Sequence, residues 1–199
     1  MTIKLVGSSS GSVSLQAPAS TAGGAHRVLT LPDANGTVAV GDTGKILQVL
    51  QTVRTSTAST GGNSYTTIGD LTSTITTTGS NKVLVRANIK FGVNAGNTAL
   101  FRLSRTTGGS TTNQLLIGND ANNRSRVTMG GLHANATWEI NPESCEFLDS
   151  PGAGTHAYFV QWAVPSGAGT VYLNRSYRDN DNAGEARTAS TITTMEVAA

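Results

Sequence analysis

The stretch Val83–Val93 constrains this chain more than any other. Val83, Val85, Ala87, Ile89, Phe91 and Val93 fall on every second position, and, Leu84 apart, the residues between them are Arg86, Asn88, Lys90 and Gly92. Side chains alternate between the two faces of a strand, so this spacing writes one apolar face and one wet face. A helix would scatter the same residues around its whole circumference. Such a strand is stable only as part of a sheet whose apolar face is covered, which predicts a layered β structure.

The same reading extends along the chain. Ala99–Arg105 follows an Asn-Ala-Gly-Asn turn with Phe101 and Leu103 inward, and further strands are predicted at Tyr65–Ile68, Leu115–Ile117, Ser144–Leu148, His156–Val164, Val171–Ser176 and Thr191–Val197. In Lys45–Arg54, Ile46, Val49, Leu50 and Val53 have helical spacing, whereas Leu47, Val49 and Val53 suit one face of a strand. The Thr/Ser-rich sequence that follows favours the strand. Composition points the same way: 29 Thr, 23 Gly and 15 Asn disfavour long helices. Leu, Ile, Val and Phe number 42 of 199, enough for a core but a thin one, so self-association is a natural way to bury more surface.

Residues 1–44 differ from the rest. Short strand-like pieces, Ile3–Val6, Val13–Ala17, Arg27–Leu31 and Thr37–Val40, are separated by turn residues including Pro18, Pro32 and Asn35–Gly36. They carry too few apolar residues for a core of their own and read as an extended β arm ahead of a single β domain at 45–199. Gly41–Lys45 ends in Gly-Lys but is too short for a phosphate-binding loop, and reads as the hinge between the two.

Charge excludes several partners. Fourteen Lys and Arg against twelve Asp and Glu leave +2, scattered, which calls for neither nucleic acid nor an anionic membrane. No run approaches ~18 apolar residues, so no membrane-inserted helix is expected. The first fifteen residues lack the apolar core of roughly 7–15 residues that a secretory signal needs. The single Cys145 has no internal disulfide partner, which suits a reducing cytosol.

Catalytic chemistry finds little to work with. Cys145, His133, His156 and Asp149 are the candidates for a nucleophile and its base, but no glycine-framed nucleophile elbow surrounds any serine. A core cysteine and surface histidines are the simpler reading. Glu139, Glu143 and Glu146 lie in one region rather than as two acids flanking a groove, and no β-helix repeat accompanies them. Asp179–Gly184 resembles the first half of a calcium loop, yet Ala183 stands at a ligand position and Ser190 where a bidentate Glu belongs. We therefore assign no catalytic, cofactor or metal residues. Arg102, Arg105, Arg124 and Arg126 form the densest basic group. Trp138, Tyr172 and Tyr177 supply rings able to stack on sugars if exposed, whereas Trp162 reads as core. The candidate ligand or partner contacts are thus Trp138, Tyr172, Tyr177, Arg124 and Arg126.

Several runs carry a resemblance. GSVSLQAPAS and HRVLTLPDANGTVAV, in the first 40 residues, resemble an N-terminal segment of structural proteins of tailed bacteriophages. GKILQVLQTV, NSYTTIGDLTSTIT and NKVLVRANIKF are similar to the opening strands of a phage tail-fibre β domain, and VYLNRSYRD and STITTMEVAA to its closing ones. What the resemblance implies is a virion structural protein, often trimeric, with a jelly-roll-like antiparallel β-sandwich at its outer end. The arm 1–44 would dock on other virion proteins, and the domain would be displayed toward host surface polysaccharide. The same pattern occurs in head fibres and capsid decoration proteins, and a stand-alone carbohydrate-binding module is the reading from a different class.

Overall fold

The structure is a computed structural model that describes residues 2–6, 12–16, 44–94, 96–112, 114–133, 136–165 and 169–199. The chain divides into two units, Met1–Val40 and Gly41–Ala199. In the first, β1 (Thr2–Val6) and β2 (Ser12–Gln16) pair antiparallel, with Ile3 opposite Leu15 and Leu5 opposite Val13. This part of the segment therefore pairs with itself rather than running on as a single extended strand. The pieces expected at Arg27–Leu31 and Thr37–Val40 lie outside the described residues.

The second unit is built from β3 (Ile46–Arg54), β4 (Ala58–Thr60), β5 (Thr66–Thr77), β6 (Lys82–Val93), β7 (Asn97–Thr107), β8 (Ser110–Thr112), β9 (Met129–His133), β10 (Asn141–Asp149), β11 (Gly154–Ala163), β12 (Val171–Leu173) and β13 (Ser190–Val197). Every pairing is antiparallel. One sheet runs β3–β13–β6–β10 and the other β5–β11–β7–β9. Taking these eight in chain order, the first lies beside the last, the second beside the seventh, and successive strands β5 and β6 change sheet. That is the strand order of a jelly roll, two Greek keys folded over one core.

The small strands extend this frame. β12 pairs Val171–Leu173 with Phe91–Val93, just beyond where β13 pairs with β6, and β4 lies beside β12 as β3 lies beside β13. β12 and β13 thus share one lane of the sheet, interrupted by residues 174–189. β8 and β9 likewise share the outer lane of β7.

The core lies between the sheets. Val83, Val85, Ala87, Ile89 and Phe91 from β6 are sealed against Phe101 and Leu103 of β7 and Tyr158, Val160 and Trp162 of β11, with the Phe91 and Phe101 rings 4.9 Å apart. Each fully buried side chain of this size contributes about 1.5–3 kcal/mol. Toward β3 the interior changes character. The Ser73 and Thr194 hydroxyls bond at 2.8 Å, and Glu196 accepts from the side chains of Gln48 (2.7 Å) and Asn81 (2.8 Å) and from the Thr78 backbone (3.1 Å). These bonds satisfy polar groups that would otherwise be costly to bury.

Some expectations need correcting. Tyr65–Ile68 is the start of a strand that runs to Thr77, hidden because a bulge resets its alternation: Asp70 sits at φ 54° and the pairing skips between Phe159 and Gln161. Leu115–Ile117 is no strand. Leu115 instead packs on the core and donates its backbone N–H to Leu103 at 3.0 Å. The strand at 171 ends at Leu173, because Asn174 turns to φ 59°. His156 is not a surface residue. It is fully buried, with its ring nitrogens bonded to the hydroxyls of Thr107 (2.8 Å) and Thr77 (3.0 Å).

Candidate functional site

The three aromatic residues singled out above come together around β12. Tyr172 stands at its centre, opposite Gly92 of β6. The chain leaving β12 folds straight back across Gly92: a Cβ there would lie 2.5 Å from the Arg175 carbonyl oxygen and 2.7 Å from Ser176. Only glycine admits that crossing. The crossing brings the Arg175 guanidinium to 3.9 Å above the Tyr172 ring, and the Tyr177 ring packs edge-on to Tyr172 at 5.7 Å. The Arg178 backbone N–H donates to the Thr137 carbonyl at 3.0 Å, which fastens the loop between β9 and β10 alongside. Trp138, on that loop, lies 5.5 Å below the Arg178 guanidinium.

Ion pairs hold this arrangement. Asp179 sits between Arg175 (3.2 Å) and Arg187 (2.8 Å). Glu185 pairs with Arg178 and accepts from the Ser176 hydroxyl at 2.5 Å, and these bonds, Ser176 first, hold its carboxyl below the ordinary range. Asn174 anchors both ends of the excursion. Its amide donates to the Arg54 (2.8 Å) and Ser56 (3.0 Å) carbonyls, and its oxygen accepts from Ser190 at 2.7 Å.

The result is an aromatic platform braced by ion pairs, with Trp138 56% and Tyr177 38% exposed. Flat rings flanked by guanidinium groups can stack on a sugar ring and donate hydrogen bonds to its hydroxyls or carboxylates. Arg175 and Arg178 were missed by sequence reasoning, although Arg interleaved with aromatics in Tyr172–Arg178 was a usable signal. Arg124 and Arg126 lie elsewhere. They are exposed on the loop between β8 and β9, where the Arg126 side chain donates to the Gly118 carbonyl at 3.0 Å and Arg102 donates to the Arg126 carbonyl at 3.1 Å. The basic group is further divided, since Arg102 stacks 3.6 Å from the Tyr65 ring and Arg105 turns inward.

Arg105 and the Tyr158 hydroxyl (2.8 Å) both bond Asp149, a buried clamp between the two sheets. Burial and the neighbouring carboxylate push the Tyr158 phenol well above its ordinary value. Cys145 lies four residues from Asp149 on β10, partly buried against the core, and burial raises its thiol pKa. With Asp149 held by Arg105 and Tyr158, and His156 by two threonines, these residues form no nucleophile–base relay. Among the described residues no three His, Cys, Asp or Glu side chains gather as metal ligands, and Asp179 of the former calcium-loop candidate is engaged by arginines.

No family model and no curated protein matches the chain. Among solved structures it is similar to the Eiger TNF of S. frugiperda, at 10% identity and a TM-score of 0.40, over 75% of this chain and 93% of that one. It is also similar to the infectious bursal disease virus Gx strain, at 11% identity and a TM-score of 0.32, over 86% of this chain and 43% of that one. The VP2 subviral particle of infectious bursal disease virus gives 8% identity and a TM-score of 0.31, over 86% and 46%. This chain spans less than half the length of either viral chain. Likenesses this distant leave the strand order itself as the ground for calling the fold a jelly roll.

Proposed function

We propose that this chain is a non-enzymatic structural protein of a tailed-phage virion, a homotrimeric tail fibre assembled in the host cytoplasm. Residues 1–44 dock it on the particle, and the jelly roll is displayed toward host surface polysaccharide. The observation that carries the displayed role is the platform of Trp138 and Tyr177, exposed on a scaffold of paired arginines. The phage assignment is supported by the runs at both ends of the chain and at its middle. Docking by the N-terminal segment would use main-chain pairing, with β1 and β2 offering strand edges to a neighbour's sheet. Three copies would supply avidity for a repetitive surface.

The test is binding of the full chain to host surface polysaccharide. Trp138→Ala is expected to weaken binding about tenfold, the equivalent of ~1.4 kcal/mol of stacking, with no change in melting. An intact folded oligomer that binds no host polysaccharide overturns the adhesive role. Immunogold labelling places it on the particle: label on the tail fits the fibre, and label over the head assigns the chain instead to the capsid as a decoration protein.

A further inference from the structure

Among the described residues the jelly roll has four sheet edges, and three are protected. β10 carries Pro142, Glu143 and Glu146. β8 and β9 are only three and five residues long. The free edge of β5 is broken by the bulge at Asp70, and side chains of β3 cap its carbonyls: Gln48 donates to Thr76 and Thr52 to Thr72, both at 2.7 Å, and Arg54 to Gly69. Prolines, charges, bulges and brevity are the devices that keep sheets from pairing at random.

The edge of β3 has almost none of them. Ile46–Val53 reads ILQVLQTV, without Pro, Gly or any charge, and beyond the bulge at Leu47 its ladder to β13 is regular. The strand is also turned inside out. Gln48, Thr52 and Arg54 point into the domain, while Ile46, Val49 and Val53 are 53%, 55% and 52% exposed. The apolar surface continues across the outer face of the sheet, where the register aligns Val49, Met195, Leu84 and Leu148 in one row over four strands.

We infer that this edge and face are where copies of the chain meet, an inference that rests on the homo-oligomeric reading above. Ile46, Leu47, Val49 and Val53 of β3 and Leu148, each about half exposed, make a patch on the order of 400 Å². That is half of the about 800 Å² per partner in a standard interface. Charge selects an identical partner. The outward residues of β3 and β13 are Val49, Gln51, Val53, Thr191, Thr193, Met195 and Val197, all uncharged, and the next row pairs Arg86 with Glu146 at 2.9 Å. In a closed ring of three, the β3 edge of one copy lies against the outer face of the next. The outward residues of β3 and β13 bring no charge to that contact, whereas a strongly charged foreign partner would find nothing on these two strands to pair with.

The experiment is light scattering on the full chain carrying Val49→Glu and Val53→Glu together. Wild type is expected at three times the 20.5 kDa of one chain, and the variant at one, with its β spectrum kept. Leu132→Glu, on the other sheet and 70% exposed, should leave the mass unchanged. If the glutamates prevent folding, Val49→Thr with Val53→Thr should raise the concentration at which the oligomer dissociates at least tenfold. A variant that folds and keeps the wild-type mass, or a threonine pair that dissociates like wild type, overturns the interface while leaving the oligomer standing. A wild-type chain that is monomeric overturns both.

Discussion

β6 and β3 belong to the same sheet, are separated by one strand, and are built in opposite senses. β6 turns Val83, Val85, Ile89 and Phe91 inward and leaves Arg86 and Lys90 on the outer face. β3 turns Gln48 and Thr52 inward and leaves Val49 and Val53 in solvent. What decides between them is the layer each meets. β6 lies over the aromatic and aliphatic residues of β7 and β11, and β3 over the Thr- and Ser-rich edge of β5. A period of two therefore specifies that a strand has two unlike faces without specifying which one is the inside. The inside of β3 is held by hydrogen bonds, and its apolar face is exposed to solvent.

The largest effect should come from breaking the dry half. Phe91→Ala is expected to cost about 3–5 kcal/mol, read as a fall in the urea midpoint, because a fully buried ring in contact with Phe101 is lost. The same truncation at Val49 should leave the stability of the isolated chain within about 0.5 kcal/mol, since that side chain is half in water. Equal losses would show that β3 is an inner strand after all.

The wet half should respond to polarity rather than volume. Thr194→Val keeps the shape but strands the Ser73 hydroxyl without its 2.8 Å partner, at about 1–2 kcal/mol by the same denaturation curve. Glu196 gives a smaller, pH-dependent signature. Bonds from Asn81, Gln48 and the Thr78 backbone hold its carboxyl below the ordinary 4.5 against the opposing effect of burial. A lowered value means that the unfolded chain takes up the proton first. The stabilisation is thus complete above 4.5 and lost as the pH falls further. The melting temperature measured from about pH 5 down to 3 should fall less steeply in Glu196→Gln than in wild type.

How much of this was legible follows from the same contrast. Val83–Val93 announced β6 because its neighbours on the inner face are all apolar, so pattern and burial coincide. β5 was legible only at its start, since the bulge at Asp70 shifts the inward set from Ile68 to Leu71, Ser73 and Ile75. β9, with Gly130 and Gly131 in five residues, has no alternation to read. Gly130 is required by contact instead: at φ 105°, a Cβ would collide with the Ala99 carbonyl of β7. The aromatic members of the candidate site were named from residue type alone. Their meeting was not, because it depends on Gly92 letting the chain cross β6 and on the amide of Asn174, contacts that no local pattern of residues marks. Arg124 and Arg126 were grouped with Arg102 and Arg105 by proximity in the chain, and the fold sends one of the four into the interior.

The lane shared by β12 and β13 has a consequence for how such a molecule changes over time. Both ends of the 174–189 excursion are secured by Asn174 and Ser190, which also tie the β3–β4 junction and the Lys90 backbone. The sheet resumes after the excursion as though nothing had been inserted. A change of length or chemistry in the excursion therefore falls between two fixed shoulders, outside the pairing of β12 and β13 with β6 that sets the register of the sheet.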